Sequence, residues 1–337
     1  MKHIIEISWG SLWRIFIFAS FVMVLFLGLQ VVLGLFLAIV ISSGLEGVIN
    51  RFERIGLPRS ISVILLFLAA VLSIILLIYM VLPLAIVELN TIIGVVGKSG
   101  GGLGFLSGFS GIKTVSGFVN QLSSQIFSSS STPLDFLSGA LGGFSLAFAV
   151  IISSFYLCLS RDGVERFLKV VIPPDYEVAA LRIYERSRKK MGAWFQMQIV
   201  SSVIMGFIVW GGLTVLNVRY AFFIGILAAV FEVVPFIGPI ISGAFAVASA
   251  LAVSVSLGVY TLIFFLIAQQ FESHFLVPIL NSRSVGLHPV IVIIAVLIGA
   301  EVGGFLGIVI AIPAAAVFQE VIEDWSTQKR LKFASDE

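Results

Sequence analysis

The sequence predicts an all-α polytopic membrane protein, and three observations support that fold class. Of the 337 residues, 59% are hydrophobic and only 11% are charged, and the mean hydropathy is +1.14. A soluble chain of this length needs more polar surface. The third observation is a set of apolar runs that do not alternate as barrel strands do and that match the roughly 20 residues a helix needs to span a bilayer. These charge-free runs are 15–45, 60–87, 136–160, 191–218 and 233–271.

Composition and charge divide the chain into six regions. Near the N-terminus, Gly28, Gln30 and Gly34 fall in the middle of an apolar stretch and indicate a tight turn between two helices, with one long tilted helix as the alternative. A later stretch is rich in Gly and Ser and poor in positive charge, which is typical of an extramembrane segment. The expected regions are N-terminal membrane helices (1–87), an extracytoplasmic Gly/Ser-rich segment (88–134), a membrane helix (135–159), cytoplasmic amphipathic and basic helices (160–191), a C-terminal membrane transport core (192–322) and a cytoplasmic tail (323–337).

The polar region 160–191 contains two short helical patterns. The first ends before Pro173 and carries apolar residues at helical spacing opposite its charges, which predicts an amphipathic helix on the membrane surface. The second is rich in Arg and Lys and runs into a span. A polybasic cluster beside a span is more typical of contact with anionic lipid than of nucleic-acid binding. We therefore expect membrane lipid as a partner and no nucleic acid. The apolar positions of the first helix are Val164, Phe167, Leu168 and Val171.

The distribution of positive charge predicts the orientation. Sixteen of the 20 Lys and Arg residues fall on one side if residues 1–49 cross twice, 60–85 crosses outward and 135–159 returns. By the positive-inside rule that side is cytoplasmic. We therefore expect a multi-pass protein of the plasma or inner membrane with both termini in the cytoplasm, and no cleaved signal, because the apolar stretch after Arg14 is too long.

The C-terminal core contains two predicted hairpins. Residues 220–257 are interrupted at Pro235 and Pro239, and residues 287–320 are interrupted near Gly303. Whether each hairpin crosses fully or re-enters is left open by the orientation argument. Small residues recur every four positions in the second arms, which predicts close helix packing and a weak inverted repeat of the kind found in secondary transporters. The packing residues include Gly238, Ser242, Gly299, Gly303 and Gly307.

Ionisable residues inside this core are the candidate functional groups, because charge at membrane depth is costly. Glu232 lies one turn before the proline break, where backbone carbonyls lose their helical donors. A carboxylate beside such carbonyls suits a cation or a proton. The alternative is a structural Glu that bonds a neighbouring helix terminus. Glu301, between two glycines, is the second candidate.

Other polar residues of the core carry open alternatives. Glu272 either belongs to a pathway or pairs with Arg283 across a turn, and His288 before Pro289 either joins the pathway or marks a helix start. The complete set of candidate pathway residues is Glu232, Pro235, Gly238, Pro239, Gln269, Gln270, Glu272, Asn281, His288 and Glu301.

Enzyme motifs are missing from the sequence. It contains no HExxH zinc helix and no GxSxG nucleophile elbow, and three His with one Cys offer little for metal chemistry. We expect no catalytic residues, no cofactor and no metal site. The first hypothesis is a secondary transporter of a small polar solute. A cation/proton antiporter and a non-transporting membrane scaffold or regulator are the alternatives.

Five motifs in order give the chain a family resemblance. They are YLCLSRD (156–162), FEVVPFIGPIISG (231–243), QFESHFLVP (270–278), VGLHPV (285–290) and GIVIAIPAAA (307–316). The chain resembles, over nearly its whole length, the autoinducer-2 exporter family of bacterial and archaeal permeases. The resemblance implies about eight membrane segments, a homo-oligomer, and either export of the quorum-sensing signal autoinducer-2 or exchange of sodium or lithium for protons. The motif residues carried over are Pro235, Gly238, Pro239, Glu272, Pro278, Gly286, His288 and Pro289.

Overall fold

The computed structural model describes residues 9–77, 145–234, 237–281 and 286–335, and every regular element in those ranges is helical. The all-α prediction is therefore confirmed. The elements are α1 (Trp9–Leu27), α2 (Leu29–Arg54), α3 (Arg59–Leu77), α4 (Ser145–Leu159), α5 (Gly163–Val171), α6 (Pro174–Val215), α7 (Ala221–Phe231), α8 (Ile237–Leu251), α9 (Val255–Phe271), a π-helical turn (Glu272–Leu276), α10 (Val277–Asn281) and α11 (Pro289–Ser335).

Among the described residues, five helices are long and apolar enough to cross a bilayer, or six if α4 and α5 are one broken span. The implied number of about eight stays a prediction, as do the region boundaries. Residues 88–134, the expected extracytoplasmic segment, lie outside the described residues. Helices α1 and α2 meet at Gly28, whose N–H donates to Val24 O (2.8 Å) and whose carbonyl accepts from Val32 N–H (3.1 Å). Both are the i, i+4 bonds of a continuing helix, so the tight turn expected here stays a prediction.

The 42-residue helix α6 forms the centre of the bundle and packs against α2, α7, α9 and α11. Small residues permit these close contacts. A Cβ atom at Gly192 would lie 2.6 Å from the carbonyl oxygen of Ser43 on α2, and one at Gly225 would lie 2.6 Å from Trp210 Cβ. The polar first half of α6 and its apolar second half form one continuous helix.

Helices α7 and α8 form the first predicted hairpin. Helix α7 also runs antiparallel to α6. Gly225 on α7 lies against Gly206 on α6, whereas Glu232 at the end of α7 contacts Gln198, which comes earlier in α6. The chain then turns back tightly, because a Cβ at Gly238 would lie 2.7 Å from Glu232 Cα. With 11 residues, α7 is about 16 Å long. It is too short to cross a core of about 30 Å, which favours the re-entrant arrangement.

Helix α11 contains the second predicted hairpin. Gly304 has φ 56° and ψ −134°, a backbone conformation that interrupts the helix and that glycine tolerates. Gly299 and Gly307 are in direct contact, with a Cβ at Gly307 placed 3.1 Å from Gly299 Cα. Residues eight apart in a straight helix are about 12 Å apart. The chain therefore reverses at the predicted break, and two of the predicted packing glycines form the contact between the arms.

Ion pairs join several helices at one end of the bundle, which we call the basic end. Arg188 of α6 pairs with Glu46 of α2 and with Glu165 of α5, 3.6 Å away. Lys190 pairs with Glu320 of α11. Further pairs join Lys190 to Glu323 (3.8 Å), Arg182 to Asp324 (2.9 Å), and Arg161 (2.8 Å) and Arg59 (3.5 Å) to Glu53.

Candidate functional site

Glu232 follows the last residue of α7 at the tip of the first hairpin. Its side chain is buried, with 3% of the residue exposed. Helix α7 ends here, and the last carbonyls of a helix lack donors within the helix. Gln198 of α6 donates to this carbonyl, with its Nε2 atom 2.6 Å from Glu232 O. A side chain of the central helix α6 thus donates a hydrogen bond to a backbone carbonyl at the predicted break.

Glu272 begins the π-helical turn that follows α9, and it is also buried, with 7% exposed. Gln269 donates from Nε2 to Glu272 Oε2 at 2.8 Å, and Ser201 of α6 donates to Oε1 at 3.5 Å. A π-helical turn inserts an extra residue into a helix and occurs frequently at functional sites.

The Glu232 and Glu272 side chains lie within interaction distance of each other, although they are 40 positions apart in the chain. Helix α8 returns from the hairpin tip and α9 runs back beside it, which brings the end of α9 to the end of α7. Ionised carboxylates are acceptors only, so two neighbouring carboxyl groups can form a hydrogen bond only when one of them carries a proton. The pair can therefore hold a proton between two buried acidic groups.

We call Gln198, Ser201, Glu232, Gln269 and Glu272 the carboxyl-pair site, and its depth follows from α6. The last charged residue of α6 is Lys190, and Gln198 lies eight positions further along, or about 12 Å. From Gln198 to the end of α6 is about 26 Å more. The carboxyl-pair site therefore lies within the apolar length of the bundle, nearer the basic end.

Two residues near the site have roles within their own helices. Gly238 permits the tight return of the hairpin. Ser242 donates to Gly238 O at 2.8 Å and so remains within α8. Pro239 is half-buried in the first turn of α8, whereas Gln270 is exposed. Pro235 lies outside the described residues.

The remaining candidates are apart from the carboxyl-pair site. His288 is exposed, and its Nδ1 atom accepts from Val290 N–H at 3.3 Å, which corresponds to the helix-start alternative. Glu301 is exposed near the turn of the second hairpin. Gly303 at that turn contacts the side chain of Leu33 on α2. Asn281 ends α10, with its side chain outside the described set, and Arg283, the proposed partner of Glu272, also lies outside the described residues.

Sequence reasoning missed Gln198 and Ser201. Both are uncharged and lie three positions apart in a helix that reads as an ordinary span. Residues at this spacing share one helix face, so a polar pair on one face of an apolar helix was the available signal. Among the described residues, no group of three or more His, Cys, Asp or Glu side chains is arranged to hold a metal ion.

These features define a class: a helical multi-pass membrane protein with a Pro/Gly-broken hairpin and a buried carboxyl pair. The sequence profile of AI-2E family transporters matches residues 15–327. The chain belongs to the AI-2E transporter family, which confirms the resemblance found in its motifs.

Individual relatives match over shorter stretches. The chain is 25% identical over 163 residues to YueF of Bacillus subtilis, covering 48% of this chain and 44% of YueF. It is 25% identical over 190 residues to YrrI of the same organism, covering 54% of each protein. PerM of Escherichia coli K12 is 41% identical over 61 residues, 18% of this chain and 17% of PerM. The chain thus spans about half the length of the first two relatives. The names of all three refer to transport or permease activity.

Proposed function

We propose that this protein is a secondary transporter of a small polar solute and that the carboxyl-pair site couples transport to protons. One observation carries the proposal: Glu232 and Glu272 are buried against each other inside the apolar length of the bundle. Ionisable residues at membrane depth typically mark solute pathways and proton relays.

The position of the pair supports a mechanism. Glu232 lies at the hairpin tip, and Glu272 lies where α9 changes to a π-helical turn. Removing the shared proton places two like charges in contact, which is unfavourable in a low-dielectric interior. The hairpin tip and α9 then separate, or a cationic or hydrogen-bonding substrate enters between them. Proton occupancy and substrate occupancy therefore compete for the same place.

The polar neighbours support a solute with hydroxyl or carbonyl groups. Gln198, Ser201 and Gln269 supply amide and hydroxyl groups beside the carboxyl pair. Autoinducer-2, the solute implied by the family resemblance, is the first compound to test. Sodium or lithium exchange for protons is the second candidate, because the site contains two carboxyl groups and hard cations prefer oxygen ligands.

The test is flux in proteoliposomes with and without a pH gradient, using autoinducer-2, sodium and lithium as substrates. Glu232→Gln and Glu272→Gln keep the side-chain shape but cannot titrate. We expect each to lower flux at least about tenfold and to remove its dependence on the pH gradient. The matched control is Glu301→Gln, which removes an exposed carboxylate from the other hairpin and should leave flux unchanged.

Each outcome decides between the alternatives. Cation exchange without solute flux supports the antiporter. Solute flux that ignores the pH gradient in the unaltered protein contradicts proton coupling. A folded protein that moves none of the three substrates supports the scaffold or regulator hypothesis, and in that case binding of a partner should survive both Glu substitutions.

A further inference from the structure

Helix α5 leaves the end of α4 at an angle of 91°. Helix α4 carries no charged residue and packs along α2, one of the five candidate spans, so a helix perpendicular to α4 runs parallel to the membrane plane. The turn occurs at the basic end, beside Arg161, which pairs with Glu53 of α2. Helix α5 therefore lies at the level where the hydrocarbon core meets the lipid headgroups.

The structure divides the apolar residues of α5 into two groups. Val164 and Leu168 are half-buried toward the bundle. Phe167, Val170 and Val171 are instead 64%, 84% and 59% exposed. The sequence alone had placed Phe167 and Val171 on one face with Val164 and Leu168. Three large apolar side chains of a nine-residue helix are thus left without cover by the described part of the chain.

Cationic side chains flank the exposed apolar group. Arg166 precedes Phe167, Lys169 precedes Val170, and both are exposed. The pairing of Arg166 with Asp162 spans 3.9 Å between side chains that are 75% and 50% exposed, and such surface pairs contribute little. Apolar residues beside exposed cations form the pattern of a helix that lies in the interface of an anionic membrane.

Ion pairing fixes which face of α5 is exposed. Glu165 points toward α6 and pairs with Arg188, which also pairs with Glu46 of α2. The half-buried residues Val164 and Leu168 turn the same way. The helix therefore cannot roll to bury Phe167 or Val170 without breaking this three-residue link.

We propose that α5 is an interfacial anchor that binds anionic phospholipid in the leaflet at the basic end. Phe167, Val170 and Val171 enter the acyl-chain boundary, and Arg166 and Lys169 contact the lipid phosphates. The bilayer is the occupant that fits, because the helix lies parallel to its plane and each juxtamembrane cation is attracted to an anionic surface. This anchor is independent of the transported solute.

The experiment places a fluorescent reporter on the full chain. In a Cys158→Ala background, Val170→Cys is labelled with an environment-sensitive dye and reconstituted with phosphatidylcholine alone or mixed with phosphatidylglycerol. Val171→Cys is a second, independent reporter. The matched control is Glu185→Cys, an exposed position on the polar half of α6. Quenching is measured with spin-labelled phosphatidylglycerol and with spin-labelled phosphatidylcholine.

We expect blue-shifted emission and strong quenching at position 170 and neither at position 185. Quenching by the anionic lipid should exceed quenching by the neutral lipid, and the ratio should fall to about one when Arg166 and Lys169 are both replaced by Gln. Emission at positions 170 and 171 that matches the control overturns the proposal. A ratio of one in the unaltered helix overturns it too. Crosslinking of the position-170 cysteines between copies would assign the face to a second copy of this chain instead.

Discussion

Substitution of Gly206, where α6 and α7 are in close contact, tests the packing of these two helices. A Cβ atom at Gly206 would lie 2.6 Å from Ala229 Cβ and 3.1 Å from the carbonyl oxygen of Gly225. Gly211, five positions further along the same helix, has no atom within 4 Å of its added Cβ. Gly206→Ala must therefore push α7 away, whereas Gly211→Ala meets no obstacle.

The magnitude follows from these contacts. Carbon atoms pack at about 3.5–4.0 Å, so Gly206→Ala requires α6 and α7 to separate by about 1 Å. Overpacking of this kind costs about 1–3 kcal/mol. At Gly211 the same change gains up to about 1 kcal/mol from helix propensity. Gly206→Ala has the same helix-propensity gain, so the two variants should differ by the overpacking cost of about 1–3 kcal/mol in unfolding free energy. At about 2–4 °C per kcal/mol, the Tm of Gly206→Ala should be lower by at least about 2 °C.

The assay is thermal unfolding of both variants and the unaltered protein in one detergent, followed by tryptophan fluorescence. Flux should also fall in Gly206→Ala, because displacement of α7 moves Glu232 away from Gln198. Equal Tm values for the two variants would refute the close contact. A Gly206→Ala protein that is more stable than the unaltered one would contradict the predicted clash between α6 and α7.

Three further predictions concern single contacts. Ser254 caps α9 by accepting from Leu257 N–H at 3.2 Å, so Ser254→Ala should lower unfolding free energy by about 0.5–2 kcal/mol in chemical denaturation. Lys190→Met should cost about 3 kcal/mol because it leaves the buried carboxylate of Glu320 unpaired, and exchanging the two charges should restore part of the loss in a double-mutant cycle. Arg59→Met should loosen α3 from α4 and speed hydrogen exchange there, because Arg59 Nε donates to a carbonyl of α4 at 2.8 Å.

Each of these contacts has an outcome that contradicts it. If Ser254→Ala leaves the unfolding free energy unchanged, water satisfies the Leu257 N–H group equally well. Strictly additive effects of the two charge changes would show that Lys190 and Glu320 do not interact. Unchanged exchange in α3 after Arg59→Met would remove that residue from the α3–α4 contact.

The sequence predicted much of the fold because the bilayer requires it. Runs of about 20 apolar residues can satisfy their backbone in lipid only as helices or barrels, and the absence of alternation selects helices. The break at Gly303–Gly304 was predictable, since glycine is the residue that accepts the positive φ found at Gly304. The orientation of the termini, the type of membrane and the homo-oligomer stay predictions.

The carboxyl-pair site was predictable only in part. Glu232 stood out because a carboxylate precedes a proline break in an apolar run. Its partner did not, because Glu272 lies near Arg283 in the sequence and an ion pair across a turn explained it equally well. Glu301 had an equally unusual sequence environment, yet it lies at the other hairpin and is exposed.

The sequence by itself determined that this chain is a helical membrane protein, where its helices break and which family it belongs to, because these properties depend on local hydrophobicity, on Pro and Gly, and on motifs. Only the tertiary structure decided which polar groups meet. The antiparallel return of α8 and α9 brings Glu272 to Glu232 and presents both to Gln198 and Ser201 of α6. The contact between these side chains depends on helix lengths and on close glycine contacts between helices. It cannot be predicted from the spacing of the residues along the chain.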